Sequence, residues 1–269
     1  MKLLNKKSFH ISFCAMLFLV IAWGRVCSGP HKASAGQGTH RPVNHPDAFC
    51  GENLFYDIGF WIINKAATGS IKYRKHRRGY IAVFEAETSG LFRLITDHRK
   101  EVMKSIMEYD QKEGRFRPLV FQEIFTQGDS EIRKTLSFDY EKGTFDFLLV
   151  KNKRKIIDRT RNLPERQFDD LLTFFYNLRM RCYGEVKEGK KLSICVLVKE
   201  KPSYISVSFD SSKNKKKGVG KYYAVLSMDR NITQAYSKRV SCWFSHDFIP
   251  LLGVVEDAYS FGDLTVRLR

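Results

Sequence analysis

Asp169 and Asp170 are adjacent carboxylates, a pairing that invites acid–base chemistry because neighbouring acids push each other's pKa values apart. They fall in residues 164–179, where Phe168, Leu171, Leu172, Phe175 and Leu178 recur at the spacing of one helix face. Pro164 and Glu165 suit a helix start. Acids in the N-terminal half of such a helix favour its dipole and face water, so the pair is expected to be solvated. Other signatures of catalysis are missing. There is no G-x-S-x-G elbow, no H-E-x-x-H, no Walker loop and no S-x-x-K. Gly218-Val219-Gly220 lacks a third glycine and a strand-to-helix context, so it reads as a turn. Beyond residue 35 the histidines are His40, His45, His76, His98 and His246, and none has a metal ligand at helical or strand spacing. His40 and His45 could pair on a metal, but solvated side chains are the simpler reading. No catalytic residue, metal or cofactor is expected, and the chain reads as non-enzymatic.

Three basic clusters and one aromatic run remain as binding candidates. The clusters are Lys72, Arg74, Lys75, Arg77 and Arg78; Lys151, Lys153, Arg154 and Lys155; and Lys213, Lys215, Lys216 and Lys217. Each lies where strand alternation stops, so each reads as a hairpin end. Such residues protect strand edges. They also attract anionic lipid headgroups, lipopolysaccharide or peptidoglycan, at about 1 kcal/mol per charge near a membrane. That attraction sums only where the clusters share one face. The aromatic candidates are Phe174, Phe175 and Tyr176. Successive helical positions cannot all point into a sheet, so one of these rings is left to line an edge or a cavity that takes an acyl chain. Core packing is the competing role, as it is for Phe55, Trp61, Phe84, Phe116, Phe121 and Phe138.

The elements that would position these residues are mostly strands. Residues 1–12 carry Lys2, Lys6 and Lys7 without an acid, and residues 11–23 form an apolar run. That run is short for a spanning helix and suits the core of an export signal, with Ala33-Ser34-Ala35 as a cleavage pattern. Residues 1–35 are therefore expected to be a signal peptide and the protein periplasmic, an uncleaved anchor being the alternative. The formal charge of +17 falls to +12 without the five basic residues of that stretch, which has no acid. Export and the lack of an aromatic–basic recognition motif argue against nucleic acid as the partner. Cys50, Cys182, Cys195 and Cys242 follow the signal, an even number in a disulfide-permissive compartment. Cys182 and Cys195 are the pair nearest in the chain, and reduced, buried thiols are the alternative.

Residues 36–51 show no periodicity and read as a flexible leader. From Leu54 the pattern alternates with a period of two. A first hairpin is expected to turn near Asn64-Lys65. Tyr80, Ala82, Phe84 and Ala86 share a face, as do Met103, Met107 and Tyr109, and then Ile132, Leu136, Phe138 and Tyr140. Ser89 precedes a short helical turn over residues 90–96. The expected fold is mainly β with minor α, a single antiparallel domain over residues 52–269. It is a large curved sheet or half-open barrel with one inserted amphipathic helix.

The order of segments resembles an exported bacterial family, the domain of unknown function three-one-zero-eight. The likeness rests on Leu54-Phe55-Tyr56-Asp57-Ile58, Ala66-Ala67-Thr68-Gly69 and Phe84-Glu85-Ala86-Glu87-Thr88-Ser89-Gly90. It continues through Gly114-Arg115-Phe116-Arg117-Pro118, Phe138-Asp139-Tyr140, residues 169–176 (DDLLTFFY) and Phe248-Ile249-Pro250. At Ile249-Pro250-Leu251-Leu252 the chain is more apolar than the basic segment expected there. The resemblance carries over no catalytic residue. It implies a fold similar to envelope lipoprotein carriers, a curved antiparallel sheet covered by helices. The function expected is a non-enzymatic envelope protein that binds a lipid or lipoprotein-like ligand in that sheet. The alternative is a structural or protein-interaction module.

Overall fold

A computed structural model describes residues 45–210, 219–229, 232, 239–259 and 262–269. The expected signal peptide, the start of the leader and the cluster Lys213, Lys215, Lys216 and Lys217 lie outside them. The stretch read as leader ends in a 3-10 turn, Pro46–Phe49. There Phe49 is buried against the rings of Tyr73 and Tyr176.

Alternating apolar residues build strands β1 (Asn53–Phe60), β2 (Ile63–His76), β3 (Gly79–Thr88), β4 (Lys100–Asp110), β5 (Arg115–Gln127), β6 (Ser130–Asp139), β7 (Thr144–Lys151) and β8 (Arg154–Asn162). After the helical segment come β9 (Lys191–Leu197), β10 (Pro202–Phe209), β11 (Tyr222–Met228), β12 (Arg239–Phe244), β13 (Pro250–Tyr259) and β14 (Gly262–Leu268). All fourteen form one antiparallel sheet in the order β8-β7-β6-β5-β4-β3-β2-β1-β14-β13-β12-β11-β10-β9. The pairing of β1 with β14 joins two meanders. The sheet does not close, and its two edges are β8 and β9. The inner faces carry Ala82, Phe84 and Ala86 on β3, Met103 and Met107 on β4, and Leu136 and Phe138 on β6, all buried. This is the pattern expected from their spacing.

Two helices break the sheet pattern. Helix α1 (Gly90–Ile95) follows Ser89 in the β3–β4 connection. Helix α2 (Leu171–Arg179) follows Asp170 and packs against β3, β4 and β5 on one side and β9 on another. Eight of its nine residues are buried, so the curved sheet wraps around it. The helix starts seven residues later than its apolar spacing predicts. The Asp170 carboxylate accepts the Thr173 N–H at 2.8 Å and fixes the N-terminus there. Asp169 meanwhile pairs with the β9 edge: its N–H donates to the Cys195 carbonyl at 3.0 Å, and its carbonyl accepts the Leu197 N–H at 2.8 Å. Both carboxylates are therefore fully buried, which corrects the expectation that they face water.

The first hairpin also departs from its expected turn. Phe60 pairs with Ile63, so the two turn residues are Trp61 and Ile62, and Asn64 and Lys65 lie inside β2. Turns alternate between the two ends of an antiparallel sheet. The β2–β3, β4–β5 and β6–β7 turns share one end with the 3-10 turn. The β1–β2, β5–β6, β7–β8 and β13–β14 turns and α1 share the other.

Gly79 closes the β2–β3 turn at φ +116°, where an added Cβ would lie 2.5 Å from the Met107 carbonyl oxygen. Gly143 has φ +66° and nothing within 4 Å of that position. Gly79→Ala should therefore cost about 3 kcal/mol and Gly143→Ala about 1 kcal/mol, measured by urea unfolding. Equal losses would show that the close backbone approach at Gly79 does not matter.

Candidate functional site

The two buried acids just before α2 form polar anchors for a helix inside an apolar sheet. Asp169 accepts from Arg115 Nη2 at 2.5 Å, from Asn177 Nδ2 at 2.9 Å and from the Tyr183 hydroxyl. Asn177 also fits its amide to the backbone of Phe116, accepting the N–H at 2.8 Å and donating to the carbonyl at 2.9 Å. Asp170 accepts from Ser105 Oγ at 2.5 Å and from Thr173 Oγ1 at 3.0 Å. At the C-terminus of α2, Arg179 forms a two-pronged pair with Glu52 at 2.5 and 2.7 Å and lies over the Phe49 ring. Burial pushes the Asp169 carboxyl upward against the pull of Arg115, Tyr183 and Asn177. Burial also pushes Asp170 up to about 7, opposed by the hydrogen bonds from Ser105 and Thr173. Ser105 beside Asp170 is the geometry of a nucleophile and a base. Both are fully buried, and their hydrogen bonds fasten the start of α2 to β4.

Phe174 and Tyr176 line none of the three described clefts. Both are buried, and Tyr176 stacks obliquely 4.5 Å from Tyr73 and edge-on to Phe49 at 5.1 Å. Phe175 is half-buried, edge-on to Tyr176 and 5.4 Å from the Arg179 guanidinium. Beneath the helix these rings pack on one another and on Phe49 and Tyr73. A cleft of about 230 Å³ lies nearby instead, lined by Arg115, Arg117, Tyr140, Arg166 and Phe168 among others. There Arg117 pairs with Glu108 and covers the Tyr140 ring.

Cys182 and Cys195 are both free thiols, as are Cys50 and Cys242, so the disulfide expected from their closeness in sequence is corrected. Cys182 Sγ points to the β4–β5 turn, donating to the Gly114 carbonyl at 3.5 Å, while Cys195 is buried on β9. Burial raises the Cys182 thiol to about 11.

The two described basic clusters do not share a face. Lys72, Arg74 and Lys75 lie on β2, and Arg77 and Arg78 form the β2–β3 turn. Lys72 pairs with Glu85 and Lys75 with Asp47. Lys151, Lys153, Arg154 and Lys155 surround the β7–β8 turn at the opposite end. Their attractions therefore cannot sum on one plane.

The second end holds a group of apolar residues of which the sequence singles out Trp61 alone, as a core or barrel-mouth ring. Trp61 and Ile62 on the β1–β2 turn are 66% and 72% exposed. Leu91, Leu94 and Ile95 on α1 are 66–70% exposed, and Ile63 is 37% exposed. The turn and the helix are tied together. Ser89 Oγ donates to the Lys65 carbonyl at 3.0 Å, and the Ser89 N–H donates to the Ala66 carbonyl at 2.8 Å. Phe92 packs edge-on to Phe60 at 6.0 Å, leaving the other apolar residues of α1 to project. Trp61 sits at φ 53° with Gly262 against its ring. The available signal was an α1 sequence, GLFRLI, with too many apolar residues for one buried face.

A family model described as a protein of unknown function (DUF3108) matches residues 56–269. No curated protein matches the chain. Among solved structures the chain is similar to a beta-barrel-like protein of domain of unknown function DUF1849 from Brucella abortus. The TM-score is 0.45 at 12% identity, over 81% of this chain and 94% of that one.

The raised carboxyl of Asp170 sets a pH dependence. The folded state keeps a proton that the unfolded chain, with a carboxyl near 3.8, has already released. Its stabilising contribution is full below about pH 4 and is lost as the pH rises to about 7, by on the order of 4 kcal/mol. Asp170→Asn keeps the capping acceptor and should flatten that part of the profile in urea midpoints measured from pH 4 to 8. Parallel profiles for the two proteins would rule out Asp170 as the source.

Proposed function

The chain belongs to the DUF3108 family of proteins of unknown function, and we propose that it is a non-enzymatic envelope protein that binds a hydrophobic or amphiphilic ligand at its apolar end. The observation that carries this reading is the grouping of Trp61, Ile62, Ile63, Leu91, Leu94 and Ile95 on two tied elements. Contiguous apolar surface of this kind marks a binding site more often than an idle one. The burial of Phe174 and Tyr176 against neighbouring rings supports a site at the rim over one beneath α2. The burial of Ser105 and Asp170 counts against catalysis at that pair, because both side chains are shut off from solvent. The basic N-terminal stretch followed by a short apolar run supports export to the periplasm, where lipids and lipoproteins are the available amphiphiles.

Native mass spectrometry of protein purified without detergent should find co-purifying lipid. A fluorescent acyl probe should saturate, and Trp61→Ser with Leu94→Ser should weaken it at least about tenfold, from the apolar area removed. Lipid-free protein that takes up no probe would overturn the reading.

A further inference from the structure

We propose that the apolar end docks on an anionic bilayer, with Trp61, Ile62, Leu91, Leu94 and Ile95 entering the acyl boundary and the β7–β8 hairpin lying on the headgroups. The inference rests on the reading of this end as the binding surface and names its partner. Three features carry it, beginning with shape. An isolated acyl chain wants a concavity that covers most of its surface. The apolar side chains here project from a two-residue turn and a six-residue helix. The three described clefts are lined by other residues, except that Phe55 and Lys100 bring one of them beside β1 and β4. A projecting apolar end suits a leaflet better than a single molecule.

Turn chemistry is the second feature. Two-residue hairpin turns favour Asn, Asp and Gly, and the chain follows that rule at Gly128-Asp129 in the β5–β6 turn. At Trp61-Ile62 it breaks the rule and holds tryptophan at positive φ. Tryptophan has an apolar body and a polar N–H, and it concentrates at membrane–water interfaces.

Charge is the third. The β7–β8 turn shares this end of the sheet. Lys151, Lys153 and Arg154 are exposed there, and Ile156 beside them is 56% exposed. Asn152 and Lys153 take φ 47° and 66°, and Asn152 Oδ1 accepts the Glu131 N–H at 2.8 Å, so the cationic tip is held in place. The other described cluster, at Arg77 and Arg78, stands at the opposite end without an apolar group beside it. One end thus pairs apolar insertion with cations, the combination that binds anionic leaflets.

The test is co-sedimentation of the exported protein with vesicles of phosphatidylcholine, with and without phosphatidylglycerol. Binding should need phosphatidylglycerol and weaken with salt. Emission from Trp61 should shift to the blue and be quenched by brominated acyl chains, a signal absent from Trp61→Phe. A Trp61→Ser, Ile62→Ser, Leu94→Ser variant with an unchanged circular dichroism spectrum should lose at least about tenfold in partitioning. Lys153→Gln with Arg154→Gln should lose several-fold on anionic vesicles, and Arg77→Gln with Arg78→Gln should lose nothing. Several outcomes would overturn the proposal: no vesicle binding, equal binding by the triple variant, or a dimer that the triple variant abolishes. Probe uptake without vesicle binding would sink bilayer docking alone. Vesicle binding without probe uptake would sink the single-ligand reading alone.

Discussion

An open sheet of fourteen strands leaves a hollow and two unpaired edges, and the chain from Asp169 to Arg179 answers both demands. Its first residue lends backbone to the β9 edge, and the rest fills the hollow as α2. Placing a helix there requires its first N–H groups and its polar side chains to find partners away from water. Asp170 caps the start, Asn177 matches the backbone of Phe116, and Arg179 pairs with Glu52. Removing one partner would leave a buried charge or donor unsatisfied, which costs more than the bond itself contributes. The same short stretch therefore fixes the register of the plug and the position of the seam.

The seam has a second fastening. Arg159 and Arg161 on β8 both reach Glu200, just beyond β9, at 3.3 and 3.2 Å. These side chains are about half exposed, so each contact adds little stability alone. An edge strand carrying Arg154, Lys155, Arg159 and Arg161 repels another such edge while still meeting its own neighbour.

Most strands were legible because half-burial imposes a period of two, and Met103, Met107 and Phe84 obey it. The helix was legible in its apolar stripe but not in its start. The stripe runs back to Phe168, which packs against Phe138 and Tyr140 from an extended segment, not from the helix. Asp170 three residues before Thr173 was the better signal, since a capping carboxylate outranks one more apolar residue. The separation of the basic clusters was also within reach. Five strands, β3 to β7, lie between the two described turns, and an odd number puts those turns at opposite ends. The free state of Cys182 and Cys195 was not legible, because nearness in sequence does not set the direction of a side chain in space.

The apolar end was missed because it contradicts the rule used to find turns. Trp61-Ile62 reads as the middle of a strand, so the sequence pattern puts the hairpin turn at the polar Asn64-Lys65. That contradiction is itself informative. Local choices in a natural chain usually agree with the global fold, and departures collect where function requires them. The Trp61 ring packs on Gly262, but the contact between turn and helix is already made by Phe60 and Phe92, and Ile62 and the three apolar residues of α1 stay exposed. Retaining five such side chains on a single end, away from both strand edges, is difficult to explain by folding. A surface they have to meet explains it directly.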